Sequence, residues 1–268
     1  MVNVLVAAAL TAATSTSLPA ASPHAEPAMF VVRDGDTTIY IFGTFHALDG
    51  QGDWFNDEVR AAFERSNELI LETVIPEVPA PPQVFAAAQP RGIRTLSVTP
   101  SASFLATTRM AIDAGRTQGM QVGNGADMVL RAAAEAGGKS VGGLETLEFQ
   151  LNMFDRMPPA DAPPPRTNAK PNVGQMDQLS RSMSDLQAAW KRGDQSLFVK
   201  MLNQLRHSSP DTYRMMFTER NARWAEWVAM RMRAPGTVFL AVGAGHLAGA
   251  DSLLVRLGER GLESARLN

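Results

Sequence analysis

The 268-residue sequence contains no cysteine, which excludes disulfides, thiolate metal sites, cysteine nucleophiles and cysteine-linked lipid anchors. It has no basic excess either: Lys+Arg 25 against Asp+Glu 27 leave a formal net charge of -2. That balance carries no electrostatic footprint for DNA or RNA, so no nucleic-acid partner is expected. No Gly-x-Ser-x-Gly occurs, so the strained elbow that presents a serine nucleophile is missing. Charged residues make up only 19% and hydrophobic ones 45%, a composition that excludes a disordered or coiled-coil chain. The chemistry of this chain is expected to rest on oxygen and imidazole, the latter from four histidines.

The N-terminus reads as an export signal. Val2 to Ala13 is an Ala-rich apolar run, followed by small residues between Ala20 and Ala28. About eleven apolar residues suit a signal h-region and fall short of the roughly 20 that span a bilayer. Met1-Val2-Asn3 has no Lys or Arg, which makes the signal atypical. Residues 1–28 are expected to be the leader, and 29–268 a single exported domain, periplasmic or secreted. No other stretch is apolar for long enough to cross a membrane, so no stable membrane insertion of the mature chain is expected.

Along the chain, Phe30 to Val32 and Thr37 to Phe42 flank Asp34-Gly35-Asp36, the pattern of a β-hairpin. A helix is expected over Asp57 to Ser66, then a strand over Glu68 to Glu72 whose apolar centre suits burial on both faces. Pro76 to Pro90 reads as a loop. Gly125 to Ala136 reads as a helix leading to a strand near Ser140. The Pro-rich run within 157–172 reads as a surface loop dividing the sequence. Helices are expected over Met176 to Arg192, Asp194 to Arg206, Pro210 to about Arg233 and Asp251 to Gly261, with a buried strand over Thr237 to Val242. Strands alternating with helices predict an α/β fold, with a mixed, largely parallel sheet covered by helices.

Two segments echo each other. Tyr40-Ile41-Phe42-Gly43-Thr44-Phe45-His46 and Leu240-Ala241-Val242-Gly243-Ala244-Gly245-His246 are each an apolar strand ending in Gly-x-x-His. Glycine lets the chain turn sharply out of the sheet, placing His46 and His246 at the carboxyl edge where ligands of open α/β sheets sit. Glu72 and Glu145 end apolar strands in the same way. Two imidazoles and two carboxylates on one edge can hold a divalent metal or act as a metal-free acid/base group on water. His24, in the leader, and His207, in a polar stretch, carry no such pattern. With Trp224 as origin, Tyr213, Phe217, Trp227 and Val228 lie within about 60° on one helix face, and Arg220 falls inside that stripe at about 40°. A guanidinium there needs an anionic partner.

Gly43 to His46, Glu68 to Glu72, Gly143-Leu144-Glu145-Thr146, Glu219-Arg220-Asn221 and Val242 to Leu247 match, in order, the signature blocks of the TraB/GumN family, which the sequence resembles over most of residues 30–268. The family is similar to the TIKI proteases and is grouped with erythromycin esterase and ChaN-like folds. The resemblance implies a metal-dependent, peptidase-like hydrolase acting on a peptide or small molecule. His46, Glu72, Arg220 and His246 carry over as site residues, and Glu145 joins them from its place after a strand. His46, His246 and Glu72 are the expected ligands of a divalent metal ion, with Mn, Co or Zn as candidates. The alternatives are a haem- or metal-binding protein resembling ChaN, without turnover, and a metal-free esterase with His46 as general base. Residues 76–121 look shorter than the family's helical middle, and the Pro-rich run replaces a leucine-bearing helix. Both histidines, placed on Gly-bearing turns, are expected to tolerate truncation without loss of stability.

Overall fold

The structure, a computed structural model, describes residues 25–75, 102–157 and 173–268. The expected leader up to residue 24 and the two Pro-rich loops lie outside the described residues. The hairpin forms as expected, with β1 (Met29–Arg33) antiparallel to β2 (Thr37–Thr44). Asp34 closes its turn, the carboxylate accepting from the backbone N–H of Asp36 and of Thr37. α1 (Asp57–Arg65) starts where the Asn56 side chain accepts from the N–H groups of Glu58 and Val59, satisfying two of the donors a helix start leaves free.

β3 (Glu68–Thr73), β4 (Ser140–Glu145) and β5 (Gly236–Gly243) complete a parallel core with β2. The sheet order is β4-β3-β5-β2-β1-β6, the short β6 (Ala265–Arg266) pairing antiparallel with β1. β5 comes from beyond the Pro-rich run yet lies between β2 and β3. The two sequence halves therefore share one sheet.

Helices cover both faces, which is why the central strands are apolar without alternation. On one face Phe42, Leu69, Leu71, Phe239 and Ala241 pack with Phe63 of α1, Leu130 of α3 (Ala126–Ala136), Trp190 of α5 (Val173–Lys191) and Phe198 of α6 (Ser196–Ser208). On the other, Ile39, Ile41, Ile70, Val238, Leu240 and Val242 meet Trp224, Ala225 and Val228 of α8 (Glu219–Arg231) and Leu253 and Leu257 of α9 (Leu253–Gly258). Each large apolar side chain so buried contributes about 1.5–3 kcal/mol.

Several elements depart from the sequence reading. α2 (Ala102–Thr117) and α4 (Leu147–Asp155) were not expected. The nine-residue α4 is set by a local cap, the Thr146 hydroxyl accepting from Phe149 N–H at 3.1 Å. The closing helix is shorter than Asp251 to Gly261 because Ser252 caps it. The long helix after Pro210 is broken: α7 (Pro210–Tyr213) runs into a π turn, Arg214–Thr218, before α8. His207 lies in the last turn of α6 and not in a loop. Among the described residues no helix is long and apolar enough to cross a membrane.

Candidate functional site

Because β2, β5, β3 and β4 are parallel, their carboxyl ends fall on one edge. The register sets Thr44 opposite Gly243 and Thr73 opposite Glu145. The edge therefore carries, in sheet order, Glu145, Glu72, the Gly243–His246 turn and the Gly43–His46 turn. Gly243 is where they meet. A β-carbon there would stand 3.1 Å from Glu72 Oε1, 3.4 Å from His46 Nε2 and 3.8 Å from His246 Cδ2. The glycine is needed for this close approach. The two imidazoles converge as the paired motifs predict.

Arg220 organises the acidic side. Its Nη2 donates to Glu72 Oε2 at 2.7 Å, and its Nε lies 3.0 Å from each oxygen of Glu145. Trp224 Nε1 adds a donor to Glu145 Oε1 at 3.1 Å, and Gly243 N–H donates to Glu72 Oε1 at 2.7 Å. The guanidinium is buried beneath α8, as the helical stripe requires, and its anionic partners are these two carboxylates. Burial works against the charge of Arg220, and Glu72 and Glu145 more than offset it, raising its pKa above the ordinary value. Burial also works to raise Glu72, yet His246, Arg220, His46 and the Gly243 N–H hold its carboxyl at about 2. With His246 uncharged, Arg220, His46 and the Gly243 N–H carry that effect.

His246 is neutral, with a single tautomer. Asn221 Nδ2 donates to Asp251 O at 2.7 Å, which turns Asn221 Oδ1 toward His246 Nδ1 at 2.7 Å. An amide oxygen only accepts, so Nδ1 carries the proton and Nε2 accepts from Arg220 Nη1 at 3.2 Å. Burial, Arg220 and His46 push His246 down to about 3 against the pull of Glu72. Its ring packs against Phe217, at 4.9 Å between centroids, and Trp224, at 4.4 Å. The π turn takes part here: it holds Phe217, and Met216 O receives Arg220 Nη1 at 3.4 Å. π turns recur at functional sites for this kind of re-aiming. The packing argues against the expectation that His246 tolerates truncation, since its side chain is only 6% exposed.

His46 differs. Its side chain is 61% exposed, and Nδ1 lies 3.3 Å from Asp127 Oδ1 near the start of α3. Desolvation by the surrounding protein opposes its charge, but Asp127 and then Glu72 outweigh this and raise His46 to about 9. Asp127 escaped the sequence reading because an acidic residue in the first turn of a helix is ordinary.

The lone pair of His246 Nε2 faces a guanidinium N–H, so a cation bound there would meet Arg220. Among the described residues, no group of three or more His, Asp or Glu side chains is disposed to hold a metal ion. His46, His246 and Glu72 as they stand do not fit a three-ligand site.

The TraB/PrgY/gumN family model matches residues 28–99 and 83–266. The chain belongs to this family. No curated protein and no solved structure matches it. The match runs through both Gly-x-x-His turns, Glu72, Glu145 and Arg220, so the edge cluster lies within the part of the chain that the family model describes.

Proposed function

We propose that this TraB/PrgY/gumN member is a hydrolase in which His46 activates water for attack on an amide or ester carbonyl. The observation that carries the reading is the placement of His46: an exposed imidazole whose Nε2 approaches Glu72 Oε1 across Gly243. Water held between these atoms gives a proton to neutral His46 Nε2 as its oxygen bonds to the carbonyl carbon. On collapse of the tetrahedral intermediate the bond to the leaving group breaks, and the imidazolium returns that proton to the departing atom. Glu72, kept ionised, orients the water without taking its proton. Arg220, itself held by Glu145 and His246, holds Glu72 in place. The conflict between His246 and Arg220 at the metal position favours this reading over the two-histidine metal mechanism.

The test is purified protein against fluorogenic peptide and ester libraries, with and without a chelator. Activity that survives chelation, disappears in His46→Gln and rises with pH along a limb near 9 is the expected result. Activity lost to chelation and restored by Mn, Co or Zn would return the metal reading. A Soret band in purified protein would favour the haem-binding alternative.

A further inference from the structure

The loop that carries His46 is stitched to the segment before α3. Leu48 and Gln121 exchange backbone hydrogen bonds, at 3.2 Å and 2.9 Å, and Ala126 N–H donates to Phe45 O at 3.0 Å. The two backbones pass so closely at Gly125 that a β-carbon there would lie 2.4 Å from His46 O. Any side chain at this position would force the segments apart, so glycine is the condition for the contact. Two residues on, Asp127 Oδ1 is buried with no hydrogen-bond partner, although His46 Nδ1 is 3.3 Å away. A buried acceptor without a donor is costly, and a small rotation of the His46 ring would supply one.

We infer that Asp127 is the positioning residue of His46, accepting its Nδ1–H and thereby leaving the Nε2 lone pair directed at Glu72 and Gly243. The inference deepens the hydrolase reading, and its main readout is independent of turnover. A carboxylate on one ring nitrogen selects the tautomer and orients the other nitrogen, as in other histidine bases. The arrangement mirrors the one at His246, where Asn221 holds Nδ1. The acceptor is charged at the exposed histidine and neutral at the buried one.

The experiment is ¹⁵N NMR of the full chain labelled at histidine, recorded above the pH of about 9 at which His46 becomes neutral, for wild type, Asp127→Ala and Asp127→Asn, with kcat and KM measured alongside at the same pH. Wild type should show His46 protonated at Nδ1 with a downfield Nδ1–H signal. Asp127→Ala should lose that signal and mix the tautomers, while kcat falls about 10²-fold, the cost of a misplaced catalytic group, and KM holds. Asp127→Asn keeps an acceptor without the charge and should fall between the two. If Asp127→Ala does not fold, a His46 spectrum in Asp127→Asn identical to wild type overturns the inference. So does an unchanged spectrum in a folded Asp127→Ala. The hydrolase reading fails on a different result, full activity in His46→Gln.

Discussion

The two Gly-x-x-His turns share a motif, a place at the end of a parallel strand and a glycine with a tight neighbour, yet they hold histidines of opposite character. His46 is mostly exposed, faces a carboxylate and is raised to about 9. His246 lies between Phe217 and Trp224, faces a guanidinium and is lowered to about 3. The motif sets where an imidazole stands. The helix that packs beside it sets what the imidazole does: α8 brings Arg220 over His246, and the start of α3 brings Asp127 to His46.

This contrast can be broken most forcefully at Arg220. Arg220→Met should remove the cation between Glu72 and Glu145, leaving Glu72 buried with the Gly243 N–H and Glu145 with Trp224 Nε1 and the more distant Arg223 Nη2 at 3.5 Å. The expected loss is about 3–5 kcal/mol, read by urea unfolding; a variant as stable as wild type would mean the carboxylates are solvated when Arg220 is gone. Next comes His246→Ala, which vacates the space between two aromatic rings and strands Asn221 Oδ1. A loss of about 2–4 kcal/mol is expected, and a stable, unaltered variant would make the two turns equivalent after all.

Acid and alkali should divide the histidines. His246 sits below its unfolded value of 6.5, so its neutral burial favours the fold above that pH and loses ground as pH falls from 6.5 toward 3. Glu72 adds to the same acid arm between 4.5 and about 2. His46 sits above its unfolded value, so its contribution is complete below 6.5 and fades as pH rises through about 9. Melting temperatures across pH should therefore show an acid arm that persists in His46→Gln, while the alkaline arm, small because His46 is exposed, should flatten. An acid arm abolished in His46→Gln, or an alkaline arm left unchanged by it, would contradict the assignment. The smallest effect is the stability of His46→Gln near neutrality, expected within about 0.5 kcal/mol of wild type even as activity is lost.

Much of this site was legible because it depends on order along strands. Gly43 to His46 and Gly243 to His246 announce themselves as apolar runs followed by glycine. Glu72 and Glu145 follow apolar runs too, and a buried strand has only one carboxyl end. Arg220 was visible because a charge within a helical apolar stripe has no water to turn to. The π turn at Arg214–Thr218 was not, since a bulge leaves the apolar pattern on either side intact. Asp127 and the partnership of Asn221 with His246 were not legible either. Their meaning lies in which backbone passes close to which, and Gly125 makes that approach without any mark that distinguishes it from a loop glycine.

The sequence by itself determined the parallel strands, their covered faces and the set of groups delivered to one edge, because hydrophobic period and glycine placement act locally. Only the tertiary structure decided which histidine is protonated, which is buried and which nitrogen is free. Those properties depend on the charges and rings that α3 and α8 bring from positions distant in the chain, and a charge-to-imidazole distance of 3.3 Å or 3.2 Å exists only once the helices have packed.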